Sequence, residues 1–295
     1  MVTSRSRLGR MIGMAARTDP AALRWLVGIE LRHFRSRARI SAAAAGKEIR
    51  TNQSKIAHME SGRYRQKPDE VAVLLKLYGA PQSEVDRVVA IASQDDGPAW
   101  WEPWRKVVSD DFGIFLGLEG MAEREFRYDP MGVPALFQTE AYAMAVTALS
   151  HRVSIDRQDM VVELRMERQR RLFEEEPLKV HAVIEESVLR RVAGDATAMR
   201  DQLERLIYLG ELPNVTINVL PTARGIRAAM FGDFNLLSLP SGREVVYLES
   251  LYGSEYVYDR DAVRGYNLMV NSVQADMLDE QESVDLIKSV MAEAT

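Results

Sequence analysis

Four side chains in NQSKIAHMESG, residues 52–62, have the hydrogen-bonding chemistry of base-edge recognition. Gln53 offers a donor and an acceptor side by side, as adenine does in the major groove. Lys55 donates toward guanine acceptors, Ser54 serves a base edge or a phosphate, and His58 adds a ring nitrogen. Chemistry of other kinds has thinner support. Glu185 and Glu186, with Asp233 and Glu249, are candidate paired carboxylates near strand ends, where such groups are more often solvated or salt-bridged. His33, His58, His151 and His181 are scattered without metal-ligand spacing, and cysteine is absent. There is no phosphate-binding glycine loop, HExxH pair or nucleophile elbow. No catalytic residue, metal or cofactor is expected, so the sequence points away from an enzyme. A last group is aromatic: Trp100, Trp101, Trp104, Phe126, Tyr128, Phe137 and Tyr142. These are candidates to line a ligand pocket or a partner groove; the alternative is that they build the core or an interdomain junction.

The polar four need a helix that turns them outward. Ile56 and Met59 recur at helical spacing, and with them buried the remaining face presents Gln53, Ser54, Lys55 and His58. Asn52 suits an N-cap and Gly62 a helix stop. Upstream, Ser41 opens a short alanine-rich helix, SAAAAGKEI, and Gly46 lets two backbones approach. Two short helices joined by a tight turn must cross steeply over a small shared core, supplied by Ile49, Ile56 and Met59. Before them, residues 21–39 place Leu23, Leu26, Val27, Leu31 and Phe34 on one helical face. After them, Pro68 and Pro81 begin two more helices. Five short helices fill residues 21–97, and the boundary falls in the acidic, Gly- and Pro-bearing stretch near Pro98.

From 98 to 295 the reading is mixed α and β. Helices are expected at 112–126, 139–149, 157–173, 198–209, 261–277 and 280–292. Strands are expected at 178–184, 215–221, 231–239 and 243–250. The chain as a whole is read as multi-domain, an all-α domain followed by an α/β domain for an effector or partner. Residues 1–20 read as a basic arm, disordered or the product of an upstream start codon, although Arg5, Arg7 and Arg10 also suit a minor groove.

Charge divides along the same line. Of 38 Lys+Arg and 43 Asp+Glu, residues 1–80 hold 16 and 6, or +10, leaving 22 and 37, or −15, for the rest. A basic head on an acidic body suggests a polyanion for the head alone, double-stranded DNA. No apolar run is long enough for a membrane span, and the lack of cysteine agrees with a reducing cytoplasm.

Residues 40–62 resemble the repressor-type helix-turn-helix of the Cro and lambda-repressor class, the XRE family. The matching features are Ser41, Asn52-Gln53-Ser54, Ile56, Glu60 and the Gly62 stop. The resemblance implies base contacts from the start of the second helix. It implies phosphate contacts from Ser41, Asn52, Arg63, Arg65 and Lys67. Two departures stand out: Ala42 and Ala43 replace the usual Gln or Glu after Ser41, and Arg50 occupies a turn position that usually holds glycine, so strain is expected there. Further motifs are WWEPW (100–104), FLGLEGMAEREFRYDP (115–130), VPALFQTEAYA (133–143), RMERQRRL (165–172), HAVIEESVLRR (181–191) and LPNVTINVLP (212–221). Together they are similar to the actinobacterial, WhiJ-type regulators. That likeness implies a homodimeric regulator controlled through its C-terminal domain by a small-molecule effector or a small protein from an adjacent gene. It also implies an alternative, an antitoxin-like role in which sequestering that neighbour is the main task.

Overall fold

A computed structural model describes residues 17, 19–94, 97–225, 232–250 and 253–293. The expected arm and its Arg5, Arg7 and Arg10 lie outside the described residues. The chain divides into two compact units. The N-terminal unit comprises Arg17–Pro103 and Ser109–Met121; the C-terminal unit comprises Trp104–Val108 and Ala122 onward.

The N-terminal unit is helical: α1 (Pro20–Arg37), α2 (Ala42–Glu48), α3 (Gln53–Glu60), α4 (Pro68–Leu77), α5 (Gln82–Ala92) and α6 (Asp110–Met121). Local sequence sets the starts. Asp19 caps α1, its Oδ1 accepting from Ala21 and Ala22 N–H at 2.8 and 3.0 Å. Proline opens α1 and α4, where no N–H is needed. The core is apolar: Val27, Ile29, Leu31, Ile56, Met59, Val71, Leu74, Leu75, Val85 and Val88 are all buried.

The sixth helix departs from the five expected. The expected boundary near Pro98 would put α6 in the second domain, yet α6 packs against α1. Glycines explain the closeness. A β-carbon at Gly117 would lie 2.6 Å from the Ala22 side chain, and one at Gly113 would lie 2.7 Å from the Trp101 ring.

The C-terminal unit is built on a six-stranded mixed sheet, order β3-β2-β1-β4-β5-β6. The strands are β1 (Arg124–Asp129), β2 (Lys179–Glu185), β3 (Val215–Leu220), β4 (Phe234–Ser238), β5 (Glu244–Ser250) and β6 (Gly253–Val257). β1, β2 and β3 run parallel, whereas β1/β4, β4/β5 and β5/β6 are antiparallel. The helices are α7 (Glu140–Ala148), α8 (Gln158–Gln169), α9 (Glu186–Arg190), α10 (Ala196–Gly210), α11 (Arg260–Asp276) and α12 (Glu280–Glu293).

The central strand β1 corrects the sequence reading, which carried a helix through to Phe126. In REFRYD the apolar Phe126 and Tyr128 alternate with charged residues, a period of two that fits a strand but is too short to stand out beside the apolar helix before it. Pairing with β2 and β4 makes it a strand. Phe126, Tyr128, Phe234, Leu236 and Val246 join Val263, Val270 and Val273 of α11 in one apolar core. On the same sheet face His181 is satisfied as a neutral ring. Asn218 gives its amide N–H to Leu278 O, so its Oδ1 accepts from His181 Nε2 at 2.8 Å. Gln274 then donates to Nδ1 at 3.3 Å, and burial holds the imidazole pKa below its usual value.

Glutamines stitch residues 133–139 to the helices. Gln202 accepts from Thr139 N–H at 2.8 Å and donates to Phe137 O at 2.9 Å. Gln169 donates to Gln138 O at 2.7 Å, and Gln138 donates to Val133 O at 2.7 Å. Buried backbone carbonyls that no helix or strand satisfies are thereby paired.

Candidate nucleic-acid interface

The helix-turn-helix is assembled from α2 and α3. Ser41 Oγ caps α2, accepting from Ala44 N–H at 3.1 Å. The chain reverses over Arg50, whose φ of 54° is left-handed. Glycine would adopt this without strain; an arginine there costs about 1 kcal/mol or more. Thr51 N–H donates to Gly46 O at 2.7 Å, and a β-carbon on Gly46 would stand 2.8 Å from Thr51 O. Gly46 is therefore what allows the return. Asn52 Oδ1 then caps α3, accepting from Lys55 N–H at 2.9 Å.

On α3, Ile56, Met59 and Glu60 are buried while Gln53, Ser54 and Ala57 are exposed. Two of the four expected base readers are engaged by neighbours: Lys55 Nζ pairs with Glu70 Oε1 of α4 at 2.7 Å, and the His58 ring meets Tyr64 edge-on at 5.2 Å. Gln53 and Ser54 stand open. Sequence reasoning passed over Ala57, whose exposed methyl suits contact with a thymine methyl. It also passed over Tyr64, which is 59% exposed beside His58.

The orientation of α3 rests on two anchors. Buried Glu60 receives a two-pronged guanidinium from Arg35 of α1, Nε to Oε1 at 2.5 Å and Nη2 to Oε2 at 2.8 Å. The hydrogen bond to Glu60 holds the Arg35 pKa above its ordinary value. The second anchor is Gln66, buried in the following loop, which donates to Met59 O at 2.7 Å and Arg24 O at 2.9 Å. Nothing in the sequence marks Gln66, since a buried loop glutamine looks like any polar loop residue. Gly62 ends α3 with φ 69°, and a β-carbon there would lie 2.7 Å from Trp25 Cα.

Arg63, Arg65 and Lys67 follow α3 and are all exposed. Arg65 also reaches Gln94 O at 3.4 Å. Ser41 and Asn52 are exposed but already use their side-chain oxygens as caps.

Two families match. Residues 26–88 match the family described as "Helix-turn-helix domain", and residues 112–289, more than half of the chain, match "Domain of unknown function (DUF5753)". The chain belongs to the DUF5753 family. Neither the curated proteins nor the solved structures hold a match to this DUF5753 protein. Its helix-turn-helix domain supports a DNA-binding regulator and points away from an enzyme. No helix among the described residues of the DUF5753 protein is long and apolar enough to cross a membrane.

Other candidate residues of the DUF5753 protein are dispersed. Trp100 and Trp101 belong to the N-terminal unit and Trp104 to the C-terminal one. The Trp100 Nε1–H points at Leu116 O at 3.4 Å, with Arg17 over its ring at 4.6 Å. Phe126, Tyr128, Phe137 and Tyr142 are buried in the C-terminal unit. Their rings fill a core instead of facing an open groove, and Tyr142 Oη accepts from Val133 N–H at 3.2 Å. Three of the four candidate carboxylates likewise have separate partners. Glu185 accepts from the Tyr128 hydroxyl at 2.6 Å, Glu186 from Thr222 N–H at 3.1 Å, and Glu249 pairs with Arg152 at 3.5 Å. Among the described residues no group of three His, Asp or Glu side chains is placed to hold a metal ion.

Proposed function

We propose that this protein is a sequence-specific transcriptional regulator that reads DNA with the N-terminal end of α3. Its DUF5753 portion would set its DNA affinity in response to an effector, as the WhiJ-type likeness implies. The observation that carries the reading is the exposed Gln53–Ser54 pair at the start of a helix anchored from behind by Glu60 and Gln66. Gln53, Ser54 and Ala57 would meet base edges first. Lys55 and His58 would join after giving up Glu70 and Tyr64. Ser41, Asn52, Arg63, Arg65 and Lys67 would hold phosphates, and a homodimer would span half-sites about 34 Å apart or a multiple of it.

The test is a mobility-shift titration against the DNA upstream of its own gene. Gln53→Ala should weaken specific binding by about 1–3 kcal/mol while leaving random DNA nearly unaffected. Arg63→Ala should weaken both equally and reduce the salt slope by about one. Equal losses on both DNAs for Gln53→Ala would remove the base-reading role.

A further inference from the structure

Among the described residues only two that are not glycine sit at positive φ, and both are arginines: Arg39 at 56° and Arg50 at 54°. They bracket α2, one before it and one after. Neither turn is free to relax. Arg39 N–H donates to Ser36 O at 3.1 Å and Ile40 N–H to Arg35 O at 3.2 Å, while Arg35 Nη1 donates to Ile40 O at 2.9 Å. Because the same Arg35 grips Glu60, the turn before α2 and the recognition helix α3 share one anchor. After α2, Thr51 N–H closes on Gly46 O at 2.7 Å. Glycine meets such a φ without strain, so the backbone gives no reason for an arginine at either place.

Neither guanidinium is used inside the unit. Both are exposed, and among the described residues neither has an ion pair or a side-chain hydrogen bond. Arg35, Lys55 and Arg87, by contrast, each face a carboxylate. From Ser36 to Asn52 the exposed charges are Arg37, Arg39, Lys47 and Arg50 against Glu48 alone. Strain kept at an exposed cation with no internal partner points to a partner outside the molecule, and the surplus of positive charge selects a polyanion. Position makes that polyanion the DNA that α3 would read. Arg50 precedes Gln53 by three residues, so their Cα atoms are at most about 11 Å apart. The major groove is about 12 Å wide, so the residues beside a base reader meet its phosphate walls. Arg39 precedes Ser41, an expected phosphate contact, by two residues.

We propose that Arg39 and Arg50 each bind a DNA phosphate, holding the duplex backbone from the two ends of α2. This rests on the DNA reading proposed above and adds two contacts to it.

The test is a binding titration of the full chain against its own upstream DNA and a random duplex, at several KCl concentrations between about 50 and 200 mM. Arg39→Gly and Arg50→Gly should each weaken binding to both duplexes alike and lower the salt slope by about one, and the double variant by about two. Each should melt at the wild-type temperature or above; a clear drop would give the arginines a role inside the fold and overturn the inference. Arg39→Lys and Arg50→Lys keep the charge and should keep the slope. Lys76→Gln removes a cation from the far end of α4 and should leave the slope unchanged. An equal fall there would reduce the two arginines to general net charge and overturn the contacts. So would an unchanged slope in the glycine variants, or a loss confined to the upstream DNA, which belongs to a base reader. A wild-type chain that binds neither duplex would remove the DNA reading itself, and the contacts with it.

Discussion

Glu60 shows how a single buried carboxylate can serve a surface it does not touch. It lies on the inner side of α3, and Arg35 holds it through two hydrogen bonds. Removing Glu60 leaves the partly exposed Arg35 without its carboxylate, at about 1–3 kcal/mol. Glu60→Ala should lower the melting temperature of the N-terminal unit, read by circular dichroism. Ala57→Ser, on the exposed face, should leave it nearly unchanged. His181 gives a pH-dependent counterpart. Its folded pKa lies below the ordinary value of 6.5 because burial disfavours the imidazolium. The unfolded chain therefore takes up the proton first as pH falls. The contribution of His181 to stability is full above about 6.5 and declines as pH drops through that value. His181→Gln should flatten part of the stability loss between about pH 7 and pH 5.5 in urea titrations.

At the scale of elements, the turn between α2 and α3 depends on Gly46 more than on the position held by Arg50. Arg50 carries its left-handed φ with its side chain exposed, so the strain stays local to its own backbone. Gly46 has Thr51 O where a β-carbon would go. Gly46→Ala should cost about 2 kcal/mol, and so roughly 10 °C in melting temperature for a unit of this size. Arg50→Gly should be neutral or slightly stabilising. The α3–α4 contact carries a functional prediction. Glu70 holds Lys55 in a pair that is partly exposed and therefore worth at most about 1 kcal/mol. Glu70→Gln should free the ammonium, tighten binding to random DNA and steepen the salt slope by about one. An unchanged slope would mean that Lys55 stays off the DNA.

For the whole molecule, the division of charge and the division of fold follow the same chain but do not share a boundary. The stretch near Pro98 looks like a linker because it is acidic and rich in Gly and Pro. The N-terminal unit nevertheless recruits Ser109–Met121 beyond it. α6 is apolar on nearly every side, and such a helix gives no periodic sign of which neighbour it packs against. In the C-terminal unit the motif VPALFQTEAYA was visible as a pattern. What it does follows from its own Gln138 and two glutamines distant in sequence, Gln169 and Gln202.

The sequence by itself determined the helix-turn-helix: its capping residues Ser41 and Asn52, its buried Ile56 and Met59, its Gly62 stop, and four of the six strands. These depend on local periodicity and on side chains that bond their own backbone, interactions spanning a few residues. Only the tertiary structure decided that Lys55 is held by Glu70, that Gln66 pins the loop after α3, and that REFRYD is the central strand. Each of these is a contact between segments far apart in the chain, where pairing and burial override what a short window of residues prefers.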